Sequence, residues 1–231
     1  MSLAGLLYSS WPLGYWLNPV ADKRLASDLE ALHQPFNWVF IAMDIVSGIF
    51  IGIACWQLAQ LAEQIFDYWI RLGLLIAIYG TATFGFLTFV DAMLPLDCLE
   101  GSRHCISPLH NPYFVIHGIF SIGSVGGLTV SIVMIWLLLI LLKYDNRTWV
   151  HLVPATFLVV WVAFGLLTIF LFLHNQSSAF AQHLFIGFCS LWLIALPYFT
   201  RLMLQVANKT VEPDVPYMSL FGLDEPPKDN P

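Results

Sequence analysis

Residues 113–142 read YFVIHGIFSIGSVGGLTVSIVMIWLLLILL, 30 residues with no Asp, Glu, Lys or Arg among them. Coiled as a helix they would rise about 45 Å, more than the ~30 Å of hydrocarbon in a bilayer. Such a run has no polar face for water to solvate, so the expected surroundings are lipid. Working outward from it, four more stretches are long and apolar enough to span: 36–62, 71–95, 151–174 and 181–206. The segment 3–18 (LAGLLYSSWPLGYWLN) is short and broken by Pro12, while its Trp11, Tyr15 and Trp16 suit a membrane interface. The fold class expected is an all-α polytopic transmembrane helix bundle. It has six helices if 3–18 spans, or five plus an interfacial segment if it does not.

The composition agrees. Charged residues make up 10% of the chain and hydrophobic ones 58%, with a mean hydropathy of +0.76, where a soluble domain carries about 25% charged residues. The net charge is −6, and much of the acid sits at the end of the chain, in Glu212, Asp214, Asp224, Glu225 and Asp229. No basic cluster points to nucleic acid or to an anionic lipid surface. Met1 to Tyr15 lack the basic n-region and small-residue cleavage site of a secretory signal and read as a retained first helix. The stretch 207–231 is rich in Pro, Asp and Glu and is expected to be a mobile cytoplasmic tail.

Orientation follows from the Lys/Arg bias of short loops. With six helices and both termini cytoplasmic, the inner side holds Arg71, Lys143, Arg147, Arg201, Lys209 and Lys228, six cations against Lys23, Arg24 and Arg103 outside. The outer segment 19–35 would carry a short amphipathic helix opened by the capping box Ser27-x-x-Glu30. The loop PLDCLEGSRHC (95–105) places Cys98 and Cys105 with six residues between them, Gly101 included. A disulfide between them would need an oxidising compartment, which agrees with an outward-facing loop; two free thiols are the alternative. Cys55 and Cys189 fall within apolar runs and read as packing residues.

Three passages resemble a bacterial and archaeal membrane family known as domain of unknown function 998. They are SDLEALHQPFNWVFIAMD (27–44), DAMLPLDC (91–98), and the later Cys105 with the helix-opening His117. Asp28 stands where that family usually has Glu, and His33 where it has Gly. The resemblance covers about 27–120 and implies a compact multi-helix membrane protein; it implies no activity.

Ionisable side chains within membrane helices are costly and are functional candidates by default. Asp44, Asp91, His117 and His183 all fall toward one end of their helices, the outer end in this topology. His117, Ser121 and Ser124 recur at i, i+4, i+7 and form one polar stripe. Around them Gly118, Gly123, Gly126 and Gly127 remove side-chain bulk, which allows close helix packing or leaves room for a ligand. The pocket candidates are therefore Asp44, Asp91, His117, Ser121 and His183. The function expected from them is binding of a membrane lipid or small amphiphile, in a cell-membrane protein with no nucleic-acid partner. One alternative is a divalent transition metal held by Asp44, His117 and His183, with a metal-bound water hydrolysing a lipid ester or amide. Another is a transporter or a noncatalytic subunit, acting as a homo-oligomer or within a larger membrane complex.

Overall fold

A computed structural model describes residues 1–9, 17, 36–94, 112–142, 148–173 and 179–209. All the secondary structure among them is helical: α1 (Ser2–Tyr8), α2 (Asn37–Ala62), α3 (Tyr68–Ala92), α4 (Pro112–Leu141), α5 (Thr148–Leu173) and α6 (Ala179–Lys209). The five helices α2 to α6 are long and apolar enough to cross a membrane. The 7 residues of α1 rise only about 10 Å, a third of the hydrocarbon thickness. Of the expected first span over 3–18, only this stretch and Leu17 are described. The loop carrying Cys98 and Cys105, the segment 19–35 and the tail beyond Lys209 lie outside the described residues, so the disulfide expectation does too.

Helix α3 starts three residues before its apolar run suggests. Asp67 caps it by accepting hydrogen bonds from the Trp69 and Ile70 backbone N–H groups at 2.9 and 3.0 Å, which satisfies two donors that no helical carbonyl can reach.

The bundle closes as a ring in chain order, α1 to α6 and back to α1, and α6 touches every other helix. Its Trp192, Leu193, Leu196 and Phe199 are buried in one core with Leu128, Ile132 and Ile135 of α4 and Leu74, Ile78 and Phe84 of α3. Lipid tails are as apolar as these side chains, so hydrophobicity alone does not hold membrane helices together. Close approach and interhelical hydrogen bonds do.

Both devices recur at the interfaces. A Cβ on Gly80 or on Gly127 would lie 2.6 Å from the other's carbonyl oxygen, so α3 and α4 meet backbone to backbone there. Beside that contact Thr81 Oγ1 donates to Ser131 Oγ at 2.9 Å, and Trp192 Nε1 donates to the same oxygen at 3.1 Å, joining α3, α4 and α6. Ser47 Oγ donates to the Ala4 carbonyl at 2.9 Å and ties α1 to α2. Helix α5 is the outlying element: 12% of its most apolar stretch is buried, against 33–44% in the other four spans. An aromatic seam holds it, with Phe157 on Trp192 and Trp161 on Phe185 at centroid separations of 5.4 and 4.0 Å. Trp161 Nε1 adds a hydrogen bond to Thr129 Oγ1 at 2.9 Å.

Candidate functional site

Helices α3 and α4 run antiparallel: Gly73 meets Leu138, Gly80 meets Gly127, and Leu87 meets Gly123. That register carries Asp91, the penultimate residue of α3, onto the first turns of α4. There His117 Nδ1 stands 2.8 Å from Asp91 Oδ1, and Ser121 Oγ donates to Asp91 Oδ2 at 3.0 Å. Because 117 and 121 are one helical turn apart they share a face, and one carboxylate can engage both. Ser124 Oγ donates back to the Ser121 carbonyl at 2.8 Å, so its hydroxyl supports the stripe from below. The His117 and Asp91 side chains keep 14% and 15% exposure. The His117–Asp91 approach has the distance of an ion pair without the alignment of a hydrogen bond.

The depth of this cluster can be read from aromatic side chains, which gather at membrane interfaces. Exposed Phe66, Tyr68 and Trp69 mark the end where α2 finishes and α3 begins; exposed Trp38 and Tyr113 mark the opposite, upper end. Asp91 is 22 residues along α3 from Trp69, about 33 Å by helical rise. A hydrocarbon core is ~30 Å thick, so the cluster lies at its upper boundary. Asp44 has similar depth. It is four residues above Gly48, which itself faces Gly85 and Phe89, and it is buried at 6% exposure.

Of the residues that sequence reasoning singled out, the structure brings together Asp91, His117 and Ser121. Asp44 and His183 take no part in those contacts. His183 instead lines an apolar groove of ≈ 390 Å³ between α1 and α6, with Gly5, Leu6, Ser9, Gly187 and Leu191. Among the described residues no three His, Cys, Asp or Glu side chains gather closely enough to hold a metal ion. The set Asp44, His117 and His183 is therefore not among such groups. A serine nucleophile is also poorly served: Ser121 gives its proton to the carboxylate and has no imidazole poised to take it, whereas a triad needs the histidine between the two. Sequence reading missed the buried node of Thr81, Ser131 and Trp192. Its one sequence signal was Ser131, which continues the face of His117, Ser121 and Ser124.

The four glycines of α4 divide by environment. Gly123 and Gly127 pack against α3, while a Cβ on Gly118 or Gly126 would meet nothing within 4 Å. Gly118 adjoins His117, so there is open space beside the polar cluster.

A family model described as "Protein of unknown function (DUF998)" matches residues 3–197, and the chain belongs to that family. No curated protein and no solved structure matches the chain.

Proposed function

We propose that this member of the DUF998 family binds the polar part of a lipid or small amphiphile at the Asp91–His117–Ser121 cluster, near the outer face of the cell membrane. One observation carries the reading: a partly exposed carboxylate at the hydrocarbon boundary accepts a hydrogen bond from Ser121 on one oxygen and has the His117 imidazole 2.8 Å from the other, both from the neighbouring helix. Polar groups at that depth are expensive unless they are used. The cluster is organised across two helices, and the open side of Gly118 leaves room for a headgroup next to it. An acyl chain would run down the apolar exterior of α4, past exposed Ile119 and Ile122. The Lys/Arg bias supports a cytoplasmic C-terminus and an outward-facing cluster.

The test is thermal unfolding in mild detergent with and without added membrane lipid. Wild type is expected to be stabilised by lipid, as any ligand of the native state stabilises it. Asp91→Asn and His117→Ala are expected to lose most of that shift. Equal lipid shifts in all three proteins would refute the reading.

A further inference from the structure

The groove between α1 and α6 belongs to the upper half of the bundle. Thr81 stands ten residues before Asp91 on α3, about 15 Å below the polar cluster and so near the mid-plane of a ~30 Å hydrocarbon core. Trp192 of α6 shares the Ser131 hydroxyl with Thr81, which puts it at the same level. The links 142–147 and 174–178 can reach at most about 21 Å, too short to recross the bilayer. Helices α4, α5 and α6 therefore alternate in direction, and α6 descends from the upper end as α4 does. His183, nine residues before Trp192, is about 13 Å above it by helical rise, close to the upper hydrocarbon boundary. Ile194, at the lower end of the groove, is just past Trp192. The groove thus runs about 16 Å along α6, the depth of one leaflet.

Its walls are hydrocarbon. Helices α1 and α6 touch where a Cβ on Gly5 would lie 2.9 Å from the Ser190 carbonyl oxygen. One turn higher they stand apart, and a Cβ on Gly187 would meet nothing within 4 Å. Leu6, Leu184, Phe188, Leu191 and Ile194 line the opening. The two serines of the wall turn back on their own helices: Ser9 Oγ donates to the Leu6 carbonyl at 3.2 Å, and Ser190 Oγ to the Ile186 carbonyl at 3.0 Å. Spread over the length of the groove, ≈ 390 Å³ leaves a section of roughly 24 Å², about 5 Å across. That admits one file of methylene groups at their ~4 Å contact distance and not two. A partner helix, ~10 Å in diameter, would need roughly 1,200 Å³ over the same length.

We infer that the α1–α6 groove holds one hydrocarbon chain of a lipid from the upper leaflet, with the polar end of that lipid at His183. This site is separate from the α3–α4 cluster and stands or falls without it. Surrounding lipid is as apolar as the groove wall, so close packing on a fixed surface, rather than hydrophobicity, favours the seated chain.

The test uses the full chain in phosphatidylcholine vesicles doped with phosphatidylcholine that carries a photoreactive diazirine midway along one chain. Crosslinked residues are mapped by mass spectrometry. In wild type, labelling of Leu6 and of 184–194 is expected to saturate as the probe fraction rises, as a discrete site must. Labelling of exposed Val159, Val162 and Leu166 on α5 should rise in proportion to the probe. Gly187→Phe grows into the groove and should bring its labelling down to the α5 level. Gly165→Phe, at an equally open position on α5, should leave groove labelling unchanged. Should Gly187→Phe fail to fold, the saturation curve of the wild type still decides. Groove labelling proportional to probe throughout, or untouched by a folded Gly187→Phe, would overturn the assignment.

Discussion

Gly126 and Gly127 are adjacent, yet the structure assigns their substitution by alanine opposite signs. At Gly126 an added Cβ meets nothing within 4 Å. The methyl group reduces the freedom of the unfolded chain and stabilises the helix by about 0.5–1 kcal/mol. At Gly127 the same Cβ would sit 2.6 Å from the Gly80 carbonyl oxygen and 3.2 Å from both Phe84 N and Thr83 Cβ. Those are mostly backbone atoms, which cannot swing aside as a side chain can, so α3 and α4 must separate. Overpacking of this kind costs about 1–3 kcal/mol. One turn further along α4, separation would also stretch the 2.9 Å Thr81–Ser131 hydrogen bond. The two variants should therefore differ by roughly 1.5–4 kcal/mol. For a chain of this size that is a Tm gap of about 3 °C or more. Tryptophan fluorescence in mild detergent at one fixed scan rate reads it, because membrane-protein melts depend on rate. Melting within about 1 °C of one another, or Gly126→Ala being the less stable, would show that α3 and α4 do not meet where we describe them.

Two further outcomes are expected. Ser131→Ala should leave the buried Trp192 N–H and Thr81 hydroxyl without their shared acceptor and destabilise the bundle by about 1–3 kcal/mol; a Tm unchanged from wild type would show that the three-helix node does not contribute. A C-terminal fusion to a reporter that fluoresces only in the cytoplasm should be bright in cells, and a dark but full-length fusion would reverse the proposed orientation.

The membrane-spanning character of the chain was legible residue by residue. Hydropathy is a local property, and runs such as 113–142 need no partner to declare that they are unsuited to water. Helix starts were less local: the apolar run over 71–95 placed the start of α3 three residues late, because the Asp67 cap that opens it lies outside the run. The stripe of His117, Ser121 and Ser124 was also readable, because helical periodicity alone fixes which residues share a face.

Which other residues that stripe would meet could not be read locally. Asp44, Asp91 and His183 looked equivalent in the sequence, each an ionisable group toward the same end of an apolar helix. Only the register of α3 against α4, fixed by backbone contact at Gly80 and Gly127, brings Asp91 to His117 and Ser121. His183 is directed by the α1–α6 packing into an apolar groove. The same register separates the four α4 glycines into two that admit a neighbouring helix and two that face open space. A glycine's role is set by what lies across from it, and that neighbour belongs to another helix. The sequence by itself determined that this is a membrane helix bundle with its polar residues near one face. The tertiary structure decided which of them form a site, because interhelical register depends on steric contact between distant segments.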